Sequence, residues 1–285
     1  MRRVGLIAAL FVACADAGAP GTASAGPDTA TTVRISSGPD RIGPGSEEYR
    51  EYETTMPTGG FVVRFDPSVP ADDVLLHHLI LMRGEPIEAP DGRPMFPTVF
   101  ASGRGTGSLE MPDGVGLRID EGEPLRLGLH LVNATDAEIA FVLGVEMQVV
   151  GEVEEEADVV TIGPAQLEIP PDSEEHAVGS ACPAGGDRTF FAAYPHMHGL
   201  GTSIEISVGG EGVAAVDPWD FGDQPLLQFD AGGDDVGVEC TYVNPGPDPV
   251  RFGHSSGDEM CLAFVFYYPA GLTRQWGCPG TIDPA

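Results

Sequence analysis

Five of the seven histidines fall into three short arrangements that suit metal binding. His77 and His78 are adjacent inside Leu75-Leu76-His77-His78-Leu79-Ile80-Leu81-Met82. His130 is the one polar side chain of Leu127-Gly128-Leu129-His130-Leu131-Val132. His196 and His198 flank a methionine in Tyr194-Pro195-His196-Met197-His198-Gly199. On a strand, residues i and i+2 point to one face, so both imidazoles of this last pair can converge on one ion. Neighbours on a regular strand point to opposite faces, so His77 and His78 share an ion only if the strand bulges or bends at an edge. Each arrangement also has a plainer account. His196 and His198 read as solvent-facing, His77 and His78 as one core and one surface residue, His130 as a hydrogen-bonded core residue. Against this, polar rings in aliphatic runs are costly unless satisfied, and a metal would satisfy them. Met260, in Asp258-Glu259-Met260-Cys261, is a core methionine by default. Beside two imidazoles its thioether would instead make a soft site suited to Cu(I). His254 reads as a loop residue, with a supporting place near Met260 as the alternative.

The elements that must carry these residues are short. Apolar runs at 61–65, 74–82, 124–132, 140–150, 159–169, 189–195, 202–208, 235–243 and 260–268 are mostly of strand length. Several alternate apolar with polar, as in Thr202-Ser203-Ile204-Glu205-Ile206-Ser207. No 3.6-residue period is sustained. With 39 glycines and 26 prolines the chain favours a turn-rich, all-β protein. The acidic stretch 152–158 reads as a solvated loop or strand rim, or as a domain boundary. The expected organisation is a leader and tether at 1–32, one domain at 33–158 and a second at 159–285. The segment Trp219-Asp220-Phe221 reads as packing.

The N-terminus opens Met1-Arg2-Arg3 and runs apolar to Ala13. A charged start and a short apolar stretch make a secretory leader, too short to span a bilayer. Phe11-Val12-Ala13-Cys14 resembles a bacterial lipobox, which would lipidate Cys14; the alternative is cleavage after Ala25. Both place the chain outside the cytosol, in a bacterial envelope or secreted. Four cysteines then remain, Cys182, Cys240, Cys261 and Cys278, an even number in an oxidising compartment. Three pairings are open.

Fourteen arginines, no lysine and 44 acids give a net charge of −30. Nucleic acid and anionic lipid surfaces are therefore excluded as partners, any membrane link being through the N-terminal lipid. Chemistry must come from the scarcer residues.

The ordered set HH, H, HxH and DEMC, followed by a strand ending in Tyr267-Tyr268, resembles the copper type II ascorbate-dependent monooxygenases. The resemblance runs from about residue 61 to 279. It implies two tandem jelly-roll-like antiparallel β-sandwich domains with one copper each. His77, His78 and His130 would hold the electron-transfer copper. His196, His198 and Met260 would hold the copper that binds O2. Disulfides Cys182–Cys278 and Cys240–Cys261 are implied. The co-substrates would be O2 and ascorbate or another one-electron reductant, with a small molecule hydroxylated at C–H. Members acting on peptidylglycine carry an arginine where this chain has Tyr194, an asparagine and a tyrosine where it has Leu262 and Phe264, and a glutamine where it has Gly128. The resemblance thus extends to the metal ligands but not to the peptide-carboxylate anchors, and a more apolar substrate is expected. A copper-binding lipoprotein without turnover, and a β-sandwich with incidental histidines, are the competing readings.

Overall fold

A computed structural model describes residues 2–4, 30–69, 75–88, 94–164 and 166–272. The described chain is all-β, with antiparallel sheets and no helix. Cys14, Cys278 and the leader from Gly5 to Thr29 lie outside the described residues. Two compact units form, the first from 1–81 with 108–157, the second from 82–107 with 158–285.

In the first unit the strands are β1 (Thr31–Ser36), β2 (Ser46–Thr55), β3 (Gly60–Ser68) and β4 (Leu76–Arg83). The second unit takes β5 (Thr98–Gly103). The first continues with β6 (Val115–Ile119), β7 (Pro124–Asn133) and β8 (Gly144–Val150), and β9 (Glu155–Ile162) follows at the change of unit. One sheet runs β2-β7-β4 and another β6-β3-β8-β1. Alternation sets the buried face of β7, where Leu125, Leu127, Leu129 and Leu131 are all sealed. On β3 a register shift against β8 lets Val62 and Phe65, three residues apart, both be sealed. Each such side chain contributes about 1.5–3 kcal/mol on burial.

The second unit holds β10 (Ser173–His196), β11 (Gly201–Val208), β12 (Glu211–Val216), β13 (Leu227–Asn244) and β14 (Leu262–Tyr268). The sheet order is β12-β11-β13-β10-β14, with Asp158–Ile162 of β9 on β14. The run at 189–195 is the end of a 24-residue strand rather than a strand of its own. The Gly-Gly pair at 185–186 does not end β10; the register shifts there, between Pro183 and Arg188, and pairing with β13 resumes. A bulge absorbs the extra residues and lets the strand continue. Ala263, Val265 and Tyr267 of β14 pack into the core with Ala193 and Met197. Leu262 and Phe264 lie on the other face of β14 and are buried as well.

Candidate metal centres

In the first unit, His130 lies on β7 between Leu129 and Leu131, so alternation turns it away from the leucine core. It is nonetheless fully buried. Tyr49 stands directly opposite it on β2, with the rings stacked at 3.9 Å. The Glu47 carboxylate lies 2.8 Å from His130 Nε2. A carboxylate only accepts, so Nε2 donates, and in the neutral ring the lone pair sits on Nδ1. The Tyr49 hydroxyl lies 3.0 Å from that Nδ1.

His77 and His78 both reach this ring. Their centroids stand 4.6 and 5.1 Å from that of His130. Strand parity holds from His77 on, with His77, Leu79 and Leu81 buried and His78 half-buried. The reading of one core and one more exposed residue is met in burial, yet the His77 and His78 ring centroids stand only 5.1 Å apart. One nitrogen from each of the three rings lies within 4.8 Å of the others.

In the second unit His196 is the last residue of β10, and His198 lies two residues beyond it, outside the strand. The alternation persists across the strand end, with Met197 in the core and both imidazoles on the other face. The rings stand 5.2 Å apart at 82°, and their ligand nitrogens lie within 4.8 Å. Both are buried, so the solvent-facing reading is corrected too.

Each ring is held in one tautomer. His196 Nδ1 donates to Gln224 Oε1 at 2.9 Å, and His198 Nδ1 donates to the Asp258 carbonyl at 2.9 Å. Carbonyl oxygens only accept, so both Nδ1 atoms carry protons and the neutral rings offer Nε2. The Gln224 amide is itself oriented. Its Nε2 donates to the Phe221 carbonyl, and its Oε1 also accepts from the Tyr194 hydroxyl at 2.7 Å. Burial pushes the Tyr194 phenol upward, so it stays a donor. The Gln224 backbone is clasped in turn. Its N–H donates to the Arg104 carbonyl and its carbonyl accepts from the Thr106 hydroxyl.

Met260 is buried two residues before the start of β14. The Tyr242 hydroxyl donates to its carbonyl at 2.8 Å. Its N–H donates to Glu259 Oε2 at 3.1 Å, an oxygen that also accepts from His198 N at 2.9 Å. Burial pushes the Glu259 carboxyl up, and the N–H groups of Leu200, His198 and Met260 pull it back. Cys261 is bonded to Cys240 with S–S 2.07 Å, anchoring the segment to β13. Cys182 is also disulfide-bonded, and Cys278, the partner that the resemblance implies, lies outside the described residues.

Phe221 meets the His198 ring edge-on at 5.9 Å, and Trp219 Nε1 donates to the His198 carbonyl at 3.2 Å. Trp219-Asp220-Phe221 therefore does more than pack. His254 sits half-buried against Phe252 at 5.8 Å, as a loop residue. Gln224 and Glu259 had no assigned role in the sequence reading. Glu259 lay inside the DEMC signature, which was a signal; Gln224 had none.

Imidazole donors suit copper: three gather in one unit and two in the other, where Met260 is also buried. None of these candidate donors is a carboxylate.

Residues 155–284 match the family model described as copper type II ascorbate-dependent monooxygenase, C-terminal domain. Among solved structures, PNGase F from Flavobacterium meningosepticum is similar at 10% identity and TM-score 0.41, covering 88% of this chain and 99% of that one. A fucolectin from striped bass serum is similar at 10% identity and TM-score 0.23, covering 80% of this chain and 84% of that one. Likenesses this distant carry no functional argument.

Proposed function

We propose, from the match of residues 155–284 to the C-terminal domain model of the copper type II ascorbate-dependent monooxygenases, that this protein hydroxylates a C–H bond of a small, largely apolar molecule. The co-substrates are O2 and a one-electron reductant such as ascorbate. Two coppers per chain are required, one held by His77, His78 and His130 and one by His196, His198 and Met260. When bound, copper supplies the one-electron and oxygen chemistry.

The observation that carries the reading is the pair of committed Nδ1 protons. Gln224 and Asp258 fix both rings of the second unit so that each offers Nε2. Metal-binding histidines are supported in this way through the opposite nitrogen. In the first unit the support reverses: Glu47 accepts from Nε2 of His130, and Nδ1, which faces the Tyr49 hydroxyl at 3.0 Å, is the nitrogen that copper would have to share or take over.

The surroundings support an apolar substrate. Tyr194, Leu262 and Phe264 share one face of paired strands, in register as Tyr194 with Phe264 and His196 with Leu262. Phe264 stacks on Tyr194 at 6.1 Å. The Tyr194 hydroxyl is spent on Gln224 and does not reach for a carboxylate. These side chains exclude water from the face beside His196. The disulfide fits an oxidising, extracytoplasmic compartment.

The test is ascorbate-driven O2 uptake on copper-loaded protein across a panel of apolar and peptidyl substrates. Uptake coupled stoichiometrically to a hydroxylated apolar product is expected. Copper binding without coupled turnover on any substrate would favour a non-catalytic copper protein.

A further inference from the structure

The DEMC segment contains one charged group that ligand counting leaves aside. Glu259 is fully buried. Its Oε2 accepts from His198 N and Met260 N, and its Oε1 accepts from Leu200 N at 2.6 Å. Its partners among the described residues are all backbone N–H groups. A buried carboxylate is expensive, and a hydrophobic side chain would pack more cheaply here. What a carboxylate offers is two acceptor oxygens and no donor, so it can gather several N–H groups at once.

The three N–H groups come from two parts of the chain. His198 and Leu200 belong to the turn after β10, and Met260 belongs to the segment before β14, which is about sixty residues later in sequence. His198 N and Met260 N meet on one oxygen, so their separation cannot exceed the two hydrogen bonds laid end to end. Each neighbour of Glu259 adds a constraint of its own. The Asp258 carbonyl orients the His198 ring, Tyr242 holds the Met260 carbonyl, and Cys261 is covalently tied to Cys240.

We infer that Glu259 is the positioning residue of the His196/His198/Met260 centre, its carboxylate acting as the joint that registers the Met260 thioether against the His198 imidazole. The inference rests on the copper reading above and names how that centre is assembled. The carboxylate touches no reacting atom. It acts through the backbone of two ligands, and its loss should separate the sulfur donor from the nitrogen donors while leaving the fold in place.

The test uses the full chain with its disulfides intact, comparing wild type with Glu259→Gln and Glu259→Asp. Glutamine keeps the size but has one acceptor oxygen and adds a donor. Three readouts are taken: melting of the metal-free protein, Cu(I) affinity by chelator competition, and X-ray absorption for a sulfur neighbour of copper. For Glu259→Gln, Cu(I) affinity at one of two sites should fall about tenfold or more, with loss of the sulfur signal and retention of the other copper. In the metal-free variant, the amides of His198, Leu200 and Met260 should exchange faster than in wild type. Glu259→Asp, charged but shorter, should fall between. Unchanged affinity with an intact sulfur signal overturns the inference, even if melting drops, because the role is then only structural. If Glu259→Gln does not fold, Glu259→Asp is judged by the same criterion. A wild type that shows no sulfur neighbour overturns the copper reading itself, and that result is distinct because it precedes any variant.

Discussion

Tyr194 and His196, two residues apart on one face of β10, donate to the same acceptor, Gln224 Oε1, at 2.7 and 2.9 Å. The phenol and the imidazole are therefore coupled through one amide. Removing that amide takes this shared acceptor from two buried donors and loosens the hold on the His196 tautomer.

Gln224→Leu should therefore weaken copper binding at this centre by roughly 10–100-fold while leaving the His77/His78/His130 copper in place. Chelator competition, resolving two affinities in the wild type and one displaced affinity in the variant, checks this.

Met260→Ile keeps apolar volume and removes the thioether. Activity should be abolished, and one copper should remain bound to the three histidines of the first unit. Substantial residual turnover would disprove the assignment of Met260.

The Cys240–Cys261 bond closes a loop with a sequence separation of 21. Replacing both cysteines by alanine should lower stability by about 2–4 kcal/mol. Because Cys261 follows Met260 directly, the loss should also lower Cu(I) affinity at that centre. Urea unfolding of the metal-free protein, alongside copper titration, separates the two effects.

Acid should destabilise the first unit. Burial pushes the Asp40 carboxyl up, but hydrogen bonds from Tyr52, the Arg41 N–H and Arg50, with the Arg50 charge, hold it below its usual 3.8. The Arg64 hydrogen bond does the same for Asp66, helped by Ser108. A folded pKa below the unfolded one means that the contribution is fully present above about 3.8 and is lost as pH falls through the folded value. The urea midpoint should therefore drop below pH 4 or so, and Asp40→Asn should flatten that drop.

Much of this was legible in the residues. The ligands stood out because histidines in aliphatic runs carry an energetic cost that asks for an explanation. The all-β class followed from breaker density and two-residue alternation. Three things were not legible. The run at 189–195 looked like a strand of its own, yet β10 reaches it through a register shift between Pro183 and Arg188. His77 and His78 looked opposed from strand parity, yet their ring centroids stand 5.1 Å apart. Gln224 looked like any loop glutamine, since its burial depends on contacts with Arg104 and Thr106 that no local pattern encodes.

That last contact bears on how the second unit could be handled as a part. Every residue proposed as a ligand of its centre falls within 196–260, inside the stretch that the family model matches. Yet the clasp on Gln224 comes from a loop near residue 105, transcribed far upstream. Gly103 sits so close that an added Cβ would fall 2.5 Å from the Tyr194 hydroxyl. An excised fragment starting at 159 would carry the three proposed ligands and Cys240–Cys261 but leave behind the brace behind His196. Any transplant of this centre into another scaffold needs two pieces of gene, not one.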